Sequence, residues 1–214
     1  MRSLRLLIAS ICLTATTGAA TAHPHVWVKI RSVLLFDASG KIAAIRHAWT
    51  FDDLYSAFAT QGIERKPDTP LTSEQLAPIA AQNMEDLREY AYFTSARAGG
   101  QKLGFAAPVD FSAEEHPDKT LTLHFTLPLT SAASAGKAFA LQVYDPSYFV
   151  DFEFEATDPV TLKSAPDGCS VNYFKPKPLV EADAKKLSES FFSGLSPGTD
   201  FGIKLAGRVI VGCP

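Results

Sequence analysis

Residues 26–51 read Val26-Trp27-Val28-Lys29-Ile30-Arg31-Ser32-Val33-Leu34-Leu35-Phe36, then Asp37-Ala38-Ser39-Gly40, then Lys41-Ile42-Ala43-Ala44-Ile45-Arg46-His47-Ala48-Trp49-Thr50-Phe51. Two apolar-rich stretches flank a short polar turn that contains glycine. That pattern predicts an antiparallel hairpin, because successive side chains of a strand point to opposite faces. Further stretches behave alike. Residues 120–127 alternate cleanly, with Thr120, Thr122, His124 and Thr126 on the face expected to meet solvent. Residues 92–97 and 102–106 flank Gly99-Gly100 as a second hairpin. Residues 139–144 and 148–155 lie either side of Asp145-Pro146, and the second sets Tyr148, Val150, Phe152 and Phe154 opposite Asp151, Glu153 and Glu155. A last strand is expected at 205–211.

Helical signals are fewer. Asp52-Asp53 opens a helix running to Gln61, with acidic residues suited to capping and to the helix dipole. Thr72 and Gln75 have the spacing of a capping box. Leu76, Ile79, Ala80, Met84 and Leu87 follow at helical spacing to about Glu89, with Pro78 expected to shorten or kink the first part. A third helix is expected at 181–195, after Pro176 and Pro178. The sum is a single α+β domain, mostly antiparallel β-sheet or sandwich, with two or three helices.

Upstream of the hairpin, Arg2 and Arg5 precede an apolar run at 6–13 and a small-residue tail ending Ala20-Thr21-Ala22. This is the layout of a secretory signal peptide, too short for a membrane span. Residues 1–22 are therefore expected to be removed, leaving 23–214 as one periplasmic domain, with no apolar stretch of membrane length after Ala22. The chain's formal net charge is −3, and the leader holds two of the arginines, so the mature domain is more acidic still. With no basic run, nucleic acid is excluded as a partner class. Of three cysteines, Cys12 lies in the leader, and Cys169 and Cys213 are expected to pair in an oxidising compartment.

Cleavage after Ala22 makes His23 the new amino terminus, where an imidazole and a free α-amine chelate a divalent transition metal. Cleavage after Ala20 instead leaves Thr21-Ala22-His23, which suits square-planar Cu(II) or Ni(II). His25 follows two residues on. If Phe36 pairs with Lys41, His25 falls opposite Asp52; a bulge at Gly40 moves it opposite Asp53 and brings His47 onto the same face. A nearby carboxylate ligates the ion or orients an imidazole. His47 otherwise reads as a core histidine, His116 and His124 as surface residues, and Asp145 as turn chemistry. No GxSxG, P-loop, HExxH or familiar Cys/His nucleophile pair occurs. The enzymatic alternative is an oxidative copper centre on an amino-terminal histidine.

Several motifs together carry a resemblance. They are His23-Pro24-His25, Arg46-His47-x-Trp49-Thr50-Phe51-Asp52-Asp53, Tyr55-Ser56-Ala57-Phe58, residues 121–129, Gln142-Val143-Tyr144-Asp145-Pro146-Ser147-Tyr148-Phe149, Gly168-Cys169 and Cys213-Pro214. Across the mature chain these resemble a bacterial domain-of-unknown-function family described as the periplasmic component of an uncharacterised ABC-type transport system. Members are often associated with nickel/cobalt-type permeases. The resemblance implies a non-enzymatic metal-binding accessory protein that handles Ni, Co, Zn or Cu for an inner-membrane metal permease or ABC-type transporter. It implies His23, His25, His47, Asp52 and Asp145 as site candidates, without assigned roles. A structural or assembly subunit with incidental histidines is the other non-enzymatic expectation.

Overall fold

A computed structural model describes residues 24–67, 69–176 and 200–214. The expected leader, His23 and the helix expected at 181–195 lie outside the described residues. The elements in order are β1 (Val26–Phe36), β2 (Ile42–Phe51), α1 (Asp53–Ala59), α2 (Ser73–Arg88), β3 (Thr94–Ala98), β4 (Gln101–Lys102), β5 (Val109–Glu115), β6 (Leu121–Ala133), β7 (Phe139–Val143), β8 (Val150–Phe154), β9 (Val160–Lys163), β10 (Ser170–Phe174) and β11 (Arg208–Gly212). The fold is α+β and mostly sheet, as expected.

The strands form two sheets. One runs β5-β6-β2-β1-β8, with β9 also on β1; the other runs β10-β11-β7-β3-β4. All pairings are antiparallel except those of β1 with β8 and β9. β8 lies alongside Val26–Ile30, and β9 takes over alongside Ser32–Leu35. The long edge of β1 is thus covered by two short strands in file. β5, β9 and β10 are absent from the sequence reading.

One contiguous core forms from the inner faces of the sheets and from α2. Val28, Ile30, Leu34, Ile45, Trp49, Phe125 and Leu127 come from the first sheet, and Phe139, Leu141, Val209 and Val211 from the second. Leu76, Ala80 and Met84 of α2 join the same cluster. Each fully buried large side chain contributes roughly 1.5–3 kcal/mol relative to exposure. The capping box at Thr72 and Gln75 is formed, and Pro78 sits inside a helix that continues to Arg88 with its ring exposed. Before α2, the loop is pinned by Glu115, whose buried carboxylate accepts from Arg65 (2.7 Å) and from the Leu71 N–H (2.8 Å).

Two local features depart from the sequence reading. The face of β6 expected to meet solvent is largely closed: Thr122 and Thr126 are buried. The Thr122 hydroxyl lies 2.7 Å from both the Thr50 hydroxyl and His116 Nε2. The strand expected to start at Tyr92 begins at Thr94, because Ala91, Tyr92 and Phe93 form a left-handed turn with φ of 49°, 54° and 46°. Such a conformation costs an L-residue roughly 1–2 kcal/mol. Aromatic packing offsets it: Tyr92 is buried near Phe125, while Phe93 stacks on Tyr90 and packs against Phe152.

Cys169 and Cys213 are joined as a disulfide, tying the chain just before β10 to the chain just after β11. The bond closes 44 sequence steps, for which the chain-entropy estimate is about 4 kcal/mol. A Cys169→Ser/Cys213→Ser variant is expected to lose stability of that order in urea unfolding. Ala91 is exposed, so Ala91→Gly is expected to raise stability by about 0.5–1 kcal/mol by relieving the left-handed turn; a lowered urea midpoint would contradict this account.

Candidate functional site

The first hairpin turns through Asp37, whose Oδ1 accepts from the Ser39 N–H, the Ser39 hydroxyl and the Lys41 N–H. Gly40 is left-handed, with φ of 72°. Phe36 pairs with Ile42, but Leu35 already pairs with Ala44. Ala43 is an extra residue on β2, and beyond this bulge the register is one step past the bulged alternative read from the sequence and two past the unbulged one. Ser32 faces His47 and Val28 faces Phe51. At the open end Trp27, not His25, meets Asp52: the Asp52 N–H donates to the Trp27 carbonyl (2.9 Å). A one-step slip moves side chains to the other face of a strand, so this bulge decides where both histidines point.

His47 points inward. It is fully buried, with Trp49 and Phe125 beside its ring at centroid distances of 5.6 Å and 5.0 Å. Nδ1 lies 2.9 Å from the Ser32 hydroxyl and Nε2 lies 3.3 Å from the Thr94 hydroxyl. The Thr94 hydroxyl donates to the Tyr92 carbonyl at 2.7 Å, so towards His47 it can only accept. The neutral ring therefore carries its proton on Nε2, and Nδ1 accepts from Ser32. Burial pushes the His47 pKa down to about 3. Both nitrogens are engaged by the interior, and His47 does not meet His25.

His25 shares the outer-face parity of Trp27 and Lys29 and is exposed. Its N–H donates to the Phe149 carbonyl (2.8 Å), and its ring stacks on Phe149 at 4.7 Å and 29°. The two candidate aspartates hold the surroundings of this ring. Asp52 caps α1 through Oδ1, accepting from the Tyr55 N–H at 2.8 Å; its Oδ2 accepts from the Trp27 N–H at 2.8 Å. Asp145 is buried. Its Oδ1 accepts from the N–H and hydroxyl of Ser147, and its Oδ2 from the N–H groups of Phe149 and Val150. Gly202 is packed so tightly on this loop that a Cβ there would overlap the Asp145 carbonyl. Asp52 fixes the backbone of Trp27, two residues on from His25 on the same face, and Asp145 fixes the backbone of Phe149, on which the His25 ring lies.

Sequence reasoning passed over Phe149 and Asp151. The signal for Phe149 lay in Asp145-Pro146-Ser147, an Asx-turn spacing that presents the next residues in a defined order. Asp151 pairs with Trp27 across the parallel ladder, on the same face as His25. The alternation sets it opposite the apolar face of its strand, yet burial first, with Glu153 adding, raises its carboxyl above the usual range. Tyr148, on the same loop, is pushed up to about 12 by burial and by the charge of Asp151. Among the described residues no three His, Cys, Asp or Glu side chains converge as a metal-binding group.

The chain belongs to a family of proteins of unknown function (DUF1007), whose family model matches residues 8–213. It is 34% identical over 95 residues to an uncharacterised 15.5 kDa protein in the trpE 3′ region of Spirochaeta aurantia, a match covering 44% of this chain and 67% of that protein. It is 20% identical over 195 residues to an uncharacterised protein of Haemophilus influenzae, covering 90% of this chain and 91% of the relative.

The buried imidazole makes a pH prediction. Folded His47 stays neutral down to about pH 3, whereas an unfolded histidine protonates near pH 6.5. Between those values the unfolded chain binds the extra proton, so this contribution is complete above pH 6.5 and is lost as the pH falls towards 3. From pH 7 to pH 5 the chain is expected to lose about 2 kcal/mol more unfolding free energy than a His47→Gln variant, by urea titration at each pH. Parallel pH curves for the two proteins would contradict the assignment.

Proposed function

We propose that this family member is an exported, non-enzymatic accessory protein that captures a divalent transition ion and delivers it to an inner-membrane metal permease or ABC-type transporter. Its site is the amino-terminal pair His23 and His25. The observation that carries the reading is the placement of His25: exposed, at the start of β1, with its backbone bonded to Phe149 and its ring laid on that side chain. A ligand held this way loses little further conformational freedom on binding, which favours affinity. Processing after Ala22 adds the α-amine and imidazole of His23 two residues from that fixed ring. Imidazole and amine nitrogens suit Ni(II), Co(II), Zn(II) and Cu(II) alike. In this reading Asp52 and Asp145 serve as positioning residues, since their carboxylates are committed to backbone N–H groups. The Cys169–Cys213 disulfide supports an oxidising, periplasmic setting.

Titrating the protein that begins at His23 with Ni(II), Zn(II) and Cu(II) in a calorimeter tests the reading. One ion is expected to bind per chain. Binding should collapse in a His23→Ala/His25→Ala variant, weaken when Ala22 is retained to block the amine, and persist in His47→Gln. Equal binding by the double variant would remove His23 and His25 from the site, and no binding by any form would remove the function.

A further inference from the structure

A cavity of about 370 Å³ lies between the end of α2 and the segment following β4, a size that suits a small molecule. Its lining is chemically lopsided. Tyr92, Leu103 and Phe105 supply apolar surface, Arg88 and Lys102 supply two positive charges, and among the described residues the lining holds no acidic side chain, Glu85 standing behind it within electrostatic reach of Tyr92. Arg88 is the last residue of α2 and pairs with Glu85 one turn back along the helix. Thr94 also lines the cavity, but its hydroxyl is spent on the Tyr92 carbonyl and on His47.

One wall is the left-handed turn of Ala91, Tyr92 and Phe93. It is held by the Phe93 N–H donating to Tyr90, by the Tyr144 N–H donating to the Phe93 carbonyl, and by the Thr94 hydroxyl on the Tyr92 carbonyl. Backbone held in sparsely populated conformations clusters at ligand clamps, where surrounding structure over-determines it. The opposite wall is anchored as well: the Leu103 N–H donates to Ala96, the Ala106 N–H donates to Pro128, and Phe105 bridges to Leu129. The hollow is therefore built into the fold on both sides. Cations beside an apolar floor select a ligand with a negative head and an apolar body.

We propose that this cavity binds a small organic carboxylate, its apolar body against Tyr92, Leu103 and Phe105 and its carboxylate between Arg88 and Lys102. Neither His25 nor Phe149 is among the residues that line the cavity. The test uses 1-naphthoate as probe on the intact mature chain, with 1-naphthylmethanol as the uncharged counterpart. Calorimetry is expected to give saturable binding of one naphthoate per chain, at least about tenfold weaker for the alcohol and for an Arg88→Ala/Lys102→Ala variant. In the isotopically labelled unmodified protein, naphthoate is expected to shift backbone amide resonances of residues 88–107, a readout that does not depend on any variant folding. Naphthoate should bind His23→Ala/His25→Ala unchanged. Failure to bind naphthoate, equal binding of acid and alcohol, undiminished binding by the folded Arg88/Lys102 variant, or amide shifts confined to other regions would each overturn the proposal.

Discussion

The register of β1 against β2 is the constraint on which the rest of the molecule depends. Both long edges of β1 are paired, by β2 on one side and by β8 and β9 in file on the other, and among the described residues it is the strand with two parallel partners. Its alternation therefore decides which residues enter the core and which line the outer face. With Ser32 opposite His47, the set Val28, Ile30, Ser32 and Leu34 is buried, and the set His25, Trp27, Lys29 and Arg31 faces out. A single-step slip would drive Lys29 and Arg31 inward, and burying an unpaired charge costs far more than one bulge. The extra residue Ala43 thus keeps a tight turn at Gly40 compatible with a core-facing Trp49.

Much of this could be read from the chain, for identifiable reasons. Elements with strong periodicity or explicit caps were legible: β1, β2, β6, and α2 with its Thr72–Gln75 box. Cys169 and Cys213, the two cysteines outside the expected leader, left one simple pairing. What stayed hidden depends on non-local partners. β9 and β10 are short, and their reason to be strands is the edge they complete. Nothing local to Tyr92 announces a left-handed turn; burial of its ring against the core imposes it. The bulge at Ala43 is equally silent, since alanine carries no turn preference, and that silence left the orientation of His47 open.

The candidate residues divide by the same logic. His47 is held by Ser32 and Thr94, hydroxyl residues from two different sheets that meet in the core, so its partners could not be deduced from neighbours in sequence. Asp52 looked like a ligand because an acid near histidines suits metal chemistry, whereas Asp145 read as turn chemistry and became a candidate through the family resemblance. The oxygens of both accept main-chain hydrogens, and a carboxylate does this where turns leave several N–H groups without a ladder partner. Asp145 gives His25 a fixed seat on Phe149. A histidine at a frayed end and a histidine braced at the start of a paired strand have the same sequence signature but very different conformational freedom.

The parallel seam along β1 has a consequence for how the molecule comes into being. An antiparallel hairpin can close as soon as its turn is made, but the strands that seal the other edge of β1 begin only at Val150 and Val160. That edge therefore stays open until a loop of more than a hundred residues has closed, long after the β1–β2 turn, because a distant pairing carries a larger loop-closure cost. During this interval β1 exposes a row of unsatisfied amides and carbonyls beside Val26, Val28 and Ile30, an adhesive border for any other nascent strand. The charged pair Lys29 and Glu153, which meets across the finished seam, leaves Lys29 an unpaired cation on that border until Glu153 arrives. It is a gatekeeper while the polypeptide is incomplete, and a clasp afterwards.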